Sequence, residues 1–285
     1  MKRVALLGKP LRRRHSPVMH DAAFAAAGID GRYELMELDP DEIPDAVGAA
    51  RGPEWLGLGV TAPYKKVVAG LVDRVEPDAG RIGAVNNVVR TAAGELVGFN
   101  SDAPGFRAGV ELALGRPLEG LEVVVAGAGG AAHAVVYACL AAGARRLTIG
   151  NRTVTAVGAL AARFAGLWPS ASPSAVALDD PAFAAALETA DLAVNATTVG
   201  MVDPGMTIDV SRLPAGATVF DLVYVPAETP LLAAARARGL RAANGSEMLI
   251  AQAAIAFERW TGVGGMEDVM RRAVAPLLAD PGAVG

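Results

Sequence analysis

The sequence predicts an α/β protein of two successive units, the first with a mixed sheet and the second built as a βαβ series on a parallel one. Three observations carry this. Short apolar runs alternate with helical stretches from end to end, the pattern of sheets whose strands connect through helices. The runs Ala84–Thr91 and Glu95–Phe99 are joined by only Ala92-Ala93-Gly94, a hairpin connection that brings antiparallel pairing into the first unit. From Pro104 onward a strand, a Gly-rich turn, a helix and a second strand follow one another at the spacing of a dinucleotide-binding fold.

Taken in order, Val4–Leu7 reads as the first strand. Pro17–Ala27 reads as a helix with Ser16 as its cap, Pro17 at its first position and Gly28 as its stop. Tyr33–Leu38 and Trp55–Thr61 are strands, with a helix from about Pro40 to Ala50 between them. In the second unit a helix runs to about Leu114 and Gly115-Arg116-Pro117 leads into the strand Leu121–Ala126. A helix over Ala131–Ala142, the strand Arg146–Gly150 and the strands Leu192–Asn195 and Thr218–Leu222 continue the series, with helical segments between. Ser170–Ser174 reads as a surface loop, and Ser246–Trp260 as an amphipathic helix.

Composition narrows the function. With 285 residues and 52% hydrophobic side chains the chain can bury a large core, and no polar tract suggests disorder. A net charge of -4 gives no long-range pull toward phosphate backbones or acidic bilayers, which argues against nucleic-acid and membrane partners. Arg12-Arg13-Arg14 is too short to change that and reads as a solvated loop. Cys139 is the single cysteine and the three histidines are not spaced with it as ligands, so neither a disulfide nor a metal site is expected. A reducing cytoplasm fits. The apolar start Val4–Gly8 is too short for a signal segment, and no run reaches membrane-spanning length.

The strongest local signal is Val123-Val124-Val125-Ala126-Gly127-Ala128-Gly129-Gly130-Ala131-Ala132. Glycines in such a turn let the backbone approach a pyrophosphate, and the N-terminus of the next helix offers its N–H groups to the anion. The following strand ends Gly150-Asn151-Arg152-Thr153. An NAD enzyme usually carries an acidic residue there for the ribose 2′-hydroxyl; Arg152 instead suits a 2′-phosphate, which favours NADP. A second signal is Gly59-Val60-Thr61-Ala62-Pro63-Tyr64-Lys65-Lys66, where Pro63 turns the chain so that Lys65 sits near a strand end. Asn86-Asn87 interrupts the hairpin strand, and Asn100-Ser101-Asp102 precedes a helix. Asp102 alone would read as a helix cap, and His15 and His20 as loop and helix-surface residues.

Together and in register these residues resemble the shikimate dehydrogenase family. The resemblance spans essentially the whole chain. It runs through His15-Ser16-Pro17 with His20, Val60–Lys65, Gly83-Ala84-Val85-Asn86, Asn100-Ser101-Asp102, Gly127–Ala132 and Asn151-Arg152-Thr153. Asn195-Ala196-Thr197 with Gly200-Met201, Asp221-Leu222-Val223-Tyr224 and Met248–Gln252 complete it. The resemblance implies a substrate-binding and catalytic α/β domain over residues 1–103 and a Rossmann NADP-binding domain over 104–240. It implies helices over 241–285 that return to the first domain, with a cleft between the two domains. Lys65 and Asp102 become the catalytic pair. Ser16, Thr61, Asn86, Tyr224 and Gln252 become contacts to shikimate or 3-dehydroshikimate. Gly127, Ala128, Gly129, Gly130, Ala131, Asn151, Arg152, Thr153, Thr197, Leu222 and Gly245 become NADP contacts. The implied reaction is reversible NADPH-dependent reduction of 3-dehydroshikimate to shikimate, by a monomer or a homodimer.

The chain departs from the family at four places. Arg14 stands where a serine that helps bind the substrate carboxylate is usual, Gly59 where an asparagine is, and Ala156 where a second basic residue is common. Gly245-Ser246-Glu247 replaces a more usual Gly-Leu-Gly. None touches Lys65 or Asp102. Arg14 is expected to face solvent, leaving Ser16 and its helix N-terminus to the carboxylate. These departures keep open a quinate or other cyclitol-carboxylate dehydrogenase on the same scaffold, using NAD. A non-catalytic nucleotide sensor would be expected to have lost Lys65 or Asp102, and both are present.

Overall fold

A computed structural model of the chain describes residues 1–11, 14–168, 173–201 and 203–279. Arg12, Arg13 and the greater part of the loop expected at Ser170–Ser174 lie outside the described residues. The chain divides into two compact units, Met1–Gly105 with Ile250–Gly285, and Phe106–Leu249, so that the second is inserted in the sequence of the first.

The first unit contains β1 (Lys2–Gly8), α1 (His15–Ala26), β2 (Gly31–Glu37), α2 (Ile43–Ala49), β3 (Trp55–Val60), α3 (Lys65–Ala69), β4 (Arg74–Val75), α4 (Pro77–Ile82), β5 (Asn87–Arg90) and β6 (Leu96–Phe99). The helix α5 (Asp102–Leu114) leads into the second. The sheet order is β2-β1-β3-β5-β6-β4. β1 pairs in parallel with β2 and β3, while β5 pairs antiparallel with both β3 and β6, so the sheet is mixed as the hairpin predicts. On one side Ala5, Leu7, Leu58 and Val60 pack with Ile43, Val47 and Val68 in a buried core.

Two helices start earlier than their local signals suggest. α1 opens at His15, with Arg14 at the cap position and Ser16 already inside the helix, so Ser16 is not the cap. Val18 N–H donates to Arg14 O at 3.2 Å and closes the first turn. α5 opens at Asp102, not near Pro104, and Asn100 Oδ1 takes the Ala103 N–H at 3.2 Å. In both helices proline is the third residue. The first-turn N–H groups have no intrahelical acceptor, so a proline is tolerated throughout that turn and marks the start only within a few residues. His15 and His20 are corrections as well: both belong to α1 and both are 2% exposed.

The second unit contains β7 (Glu122–Ala126), α6 (Gly130–Ala141), β8 (Arg146–Asn151), α7 (Val154–Ala165), β9 (Ser174–Ala177), α8 (Pro181–Leu187), β10 (Leu192–Asn195), β11 (Thr218–Asp221), α9 (Pro230–Ala237) and β12 (Arg241–Asn244). Its sheet has the order β12-β11-β10-β7-β8-β9 and every described pairing is parallel. β7, β10 and β11 are buried along their whole length, which is why they read as unbroken apolar runs. Strand succession reverses between β7 and β10, the switch point at which such sheets bind ligands beyond their C-terminal ends. The closing helices are α10 (Ser246–Thr261) and α11 (Glu267–Ala279), the latter packed on α1.

The aromatic side of the first sheet is closed by α1 and α10. Phe24 and Phe257 meet edge to face at 5.1 Å, and Trp260 Nε1 donates to Val88 O at 2.9 Å. Gly57 makes that contact possible, because a Cβ there would stand 2.0 Å from Val88 O and 2.6 Å from Trp260 Nε1. Among the described residues no helix is long and apolar enough to cross a membrane. Nor does any group of three or more His, Cys, Asp or Glu among them have the placement of a metal site.

Candidate active site

β3 ends at Val60, and Thr61 N–H donates to Leu7 O at 2.9 Å to hold the strand end against β1. The Ala62–Pro63 peptide is cis. Tyr64 N–H returns to Thr61 O at 3.0 Å and the Tyr64 hydroxyl donates to Leu38 O at 2.6 Å, so the turn is tied down at both ends before Lys65 opens α3. Lys65 Nζ then lies 2.6 Å from Asp102 Oδ2, with the two side chains 23% and 15% exposed. They are shielded yet reachable.

Asp102 is not left to act as a cap. Its other oxygen, Oδ1, accepts from Asn86 Nδ2 at 2.8 Å. The second Asn86 amide proton goes to Ser101 Oγ at 3.2 Å, while Asn86 Oδ1 accepts from Ser101 N–H at 2.8 Å and Asn87 Nδ2 at 2.9 Å. Ser101 Oγ also accepts from Asn87 at 2.8 Å and donates its one proton to Gln252 Oε1 at 3.3 Å. A hydroxyl offers one donor and two acceptor sites, and all three are used. A cluster so completely bonded has one low-energy arrangement, which fixes the carboxylate that holds Lys65. The structure thus brings Lys65, Asp102, Asn86 and Gln252 together, with Asn87 and Ser101 as partners to which the sequence reading assigned no role. The signal available was the pair of amides in an otherwise apolar hairpin strand.

Elsewhere in the first unit Ser16 is half-buried near the start of α1, its side chain within hydrogen-bonding reach of the Tyr33 hydroxyl. Thr61 is half-buried beside Gly8, where a Cβ would stand 2.4 Å from Thr61 Cγ2. Arg14 is solvent-exposed. Tyr224 belongs to the second unit, on the segment after β11, and is half-buried.

In the second unit the turn after β7 separates two kinds of glycine. Gly127 has φ 120°, and a Cβ on it would stand 2.8 Å from Ala196 O. The protein itself demands that glycine. At Gly129 and Gly130 a Cβ would meet nothing within 4 Å among the described residues beyond their chain neighbours, so no such contact explains them. Open space before the first turn of α6 is what a close-lying pyrophosphate needs. Ala132, in the place of the fingerprint's third glycine, is fully buried in the helix–sheet contact. Gly127 N–H bonds Gly150 O at 2.7 Å, so the end of β8 lies beside this turn. There Asn151 Nδ2 donates to Thr153 O at 3.3 Å, while Arg152 is exposed and forms no ion pair with any described residue.

Beyond β10 and β11 runs a buried polar layer for which the sequence reading named only its motif. Asn195 donates to Asp221 Oδ1 at 2.9 Å and to Val199 O at 3.1 Å, and its Oδ1 accepts from Thr197 Oγ1 at 2.7 Å. Asp221 also accepts from Thr229 Oγ1 at 2.6 Å and Val223 N–H at 3.0 Å. Burial raises the pKa of Asp221 above the ordinary carboxylate value, opposed in part by these donors. The layer sets the loops that carry Thr197 and Leu222. Gly245 lies against the second of these, where a Cβ would be 2.4 Å from Leu222 O.

Residues 6–88 match a family profile described as shikimate dehydrogenase substrate binding domain, and residues 245–275 one described as shikimate 5'-dehydrogenase C-terminal domain. A shikimate dehydrogenase (NADP(+)) of Geobacter metallireducens is 38% identical over 276 residues, 96% of each chain. The solved structure of shikimate 5-dehydrogenase from Thermus thermophilus in complex with NADP(H) and shikimate is 37% identical. It has a TM-score of 0.83 and covers 96% of this chain and 100% of that one. Quinate dehydrogenase from Corynebacterium glutamicum in complex with NAD is 34% identical with a TM-score of 0.89, covering 96% and 99%.

Proposed function

The chain belongs to the shikimate dehydrogenase family, and on that footing we propose how its residues divide the work of one reaction. That reaction is the reversible NADPH-dependent reduction of 3-dehydroshikimate to shikimate, an oxidoreductase step toward chorismate and the aromatic amino acids. Bound NADPH supplies hydride to the ring carbonyl carbon. The chain's own part is the proton. Lys65 as an ammonium donates to the carbonyl oxygen in reduction, and the resulting amine accepts the hydroxyl proton in oxidation. Asp102 orients the ammonium, and Asn86 keeps Asp102 in place.

Ser16, Thr61, Asn86, Tyr224 and Gln252 are read as substrate contacts. Gly127–Ala131, Asn151, Arg152, Thr153, Thr197, Leu222 and Gly245 are read as NADP contacts. The open space at Gly129 and Gly130 and the exposed guanidinium of Arg152 support that fit. Residues 1–103 are taken as the substrate domain and 104–240 as the NADP domain; of the expected closing helices over 241–285, Arg241–Asn244 is instead the edge strand of the second sheet, and the chain from Ile250 onward belongs with the first unit. The cluster around Lys65 draws on one chain, so a monomer and a homodimer both accommodate the chemistry. Cys139, buried with its thiol pushed up to about 12 by desolvation, suits a reducing cytoplasm.

The observation that carries the assignment is the Lys65–Asp102 pair at 2.6 Å. A quinate dehydrogenase is the second reading, supported by the likeness to the Corynebacterium enzyme and by Gly59 and Arg14. Reduced-nicotinamide absorbance, followed with shikimate and with quinate against NADP and NAD, separates them. The highest kcat/KM is expected for shikimate with NADP; quinate with NAD in first place would overturn the first reading.

A further inference from the structure

The side of the first sheet that α1 covers holds a buried tyrosine that the chemistry above leaves without a task. Tyr33, on β2, is 5% exposed. In the parallel register Tyr33 aligns with Val4, and Leu6 with Gly59, so all four side-chain directions lie on one side of the sheet. The ring stacks on His20, centroids 4.4 Å apart and planes 12° from parallel, which fixes where the phenol points. Its hydroxyl ends over Gly59, 2.6 Å from where a Cβ would be, and within hydrogen-bonding reach of the Ser16 side chain.

We propose that Tyr33 is a positioning residue for the substrate carboxylate: its hydroxyl donates to Ser16 Oγ and thereby turns the Ser16 proton toward the anion, in space that Gly59 leaves open. The inference rests on reading Ser16 as a substrate contact. A serine hydroxyl has one proton, and if that proton pointed inward the anion would face only lone pairs. Burial raises the Tyr33 pKa well above the ordinary phenol value, opposed only in part by the contact with Ser16, so Tyr33 keeps its proton to give. A hydroxyl that accepts a bond on its oxygen is also the better donor. Ser16 is half-buried where Tyr33 is buried, so Ser16 is the end of the relay that a ligand can reach. The relay recognises an acid, and a neutral ester in its place gains nothing from it.

Three substitutions in the full chain, assayed with shikimate and with its neutral methyl ester under saturating NADP, test this. Tyr33→Phe keeps the ring on His20 and is expected to raise KM for shikimate about three- to tenfold, what one hydrogen bond is worth, with kcat within about twofold. KM for the ester should stay within about twofold. Gly59→Ala pushes the hydroxyl off its seat and should reproduce that pattern. In the Tyr33→Phe background it should add little, because the next ring atom, Cζ, is 3.7 Å away. This arm also stands if Tyr33→Phe does not fold. An equal rise with acid and ester, or a fall in kcat at constant KM, overturns the relay. So does a Gly59→Ala effect of the same size in both backgrounds. Ser16→Ala tells the failures apart. If it leaves KM for shikimate unchanged, the reading of Ser16 has failed; if it raises KM and Tyr33→Phe does not, only the relay has.

Discussion

Lys65 and Asp102 lie 37 residues apart in sequence and 2.6 Å apart in space. In a cluster whose polar groups bond one another, removing the ammonium removes the group that gives the proton. Lys65→Ala is expected to lower turnover by about two to four orders of magnitude while KM changes much less. Steady-state kinetics checks this, and near-normal turnover would move the acid elsewhere. Asp102→Asn should also lose most activity, since the pair loses its charge while Asn86 keeps an acceptor. Arg152 is legible in the sequence because its meaning depends on one strand end. Its exposure now tempers the expected effect. Arg152→Ala should weaken NADP by about 1–2 kcal/mol and NAD much less, a charge-assisted contact discounted for solvent. Equal losses in titrations with the two cofactors would show that Arg152 does not read the 2′-phosphate.

At the scale of the element, the turn between β7 and α6 makes a contrast that one substitution at each of two positions can read. Gly127→Ala meets both a left-handed φ and the Ala196 carbonyl, and should destabilise the protein by about 1–3 kcal/mol. Gly129→Ala meets no atom of the described residues within 4 Å beyond its chain neighbours. It should leave the melting temperature unchanged and raise the Kd for NADP, because the methyl would stand where the pyrophosphate approaches. A melting-temperature loss at Gly129 as large as that at Gly127 would remove the reason for placing the ligand there. α1 supplies a pH effect. Burial pushes His20 down to about 3, from 6.5, and its Nδ1 has no hydrogen-bond partner among the described residues. The folded state therefore keeps His20 neutral while the unfolded chain binds a proton below pH 6.5. Stability is fully present above that value and falls as pH drops toward about 3. Between pH 7 and pH 5 this amounts to about 2 kcal/mol. Denaturant titrations at the two pH values should lose that increment in His20→Phe, which keeps a ring against Tyr33. An unchanged difference would mean that other groups carry it.

For the whole molecule, all residues read as NADP contacts fall in Phe106–Leu249. Trp168, whose ring lies 5.5 Å from Tyr137, belongs to that unit, whereas Trp55 and Trp260 belong to the other. A ligand that binds only the folded state adds about 2.7 kcal/mol at a concentration a hundred times its Kd. The fluorescence transition that disappears in Trp168→Phe should therefore move to higher denaturant when NADP is added. A chain of two units need not unfold in one step, so the two tryptophan signals are to be followed separately. No shift in the Trp168 signal would argue against the cofactor assignment.

Whatever depends on neighbours a few residues away could be read from the chain alone. Strand and helix types follow from apolar periodicity, the mixed first sheet from a three-residue connection, and the phosphate turn from glycines between a strand and a helix. Even there the helix starts slipped by two residues at Ser16 and Pro104, because a first turn tolerates proline at any of its positions. The tertiary structure alone decided which polar groups meet. Asp102, a plausible cap by its local context, is the partner of Lys65; Ser101 finds Gln252 at a separation of 151 residues; His15 and His20 turn inward. Tyr33 comes to lie over Gly59 only because β1 brings their strands into register. Side-chain pairing between distant segments is set by strand order and packing, and those are properties of the assembled sheet that no window of the sequence contains.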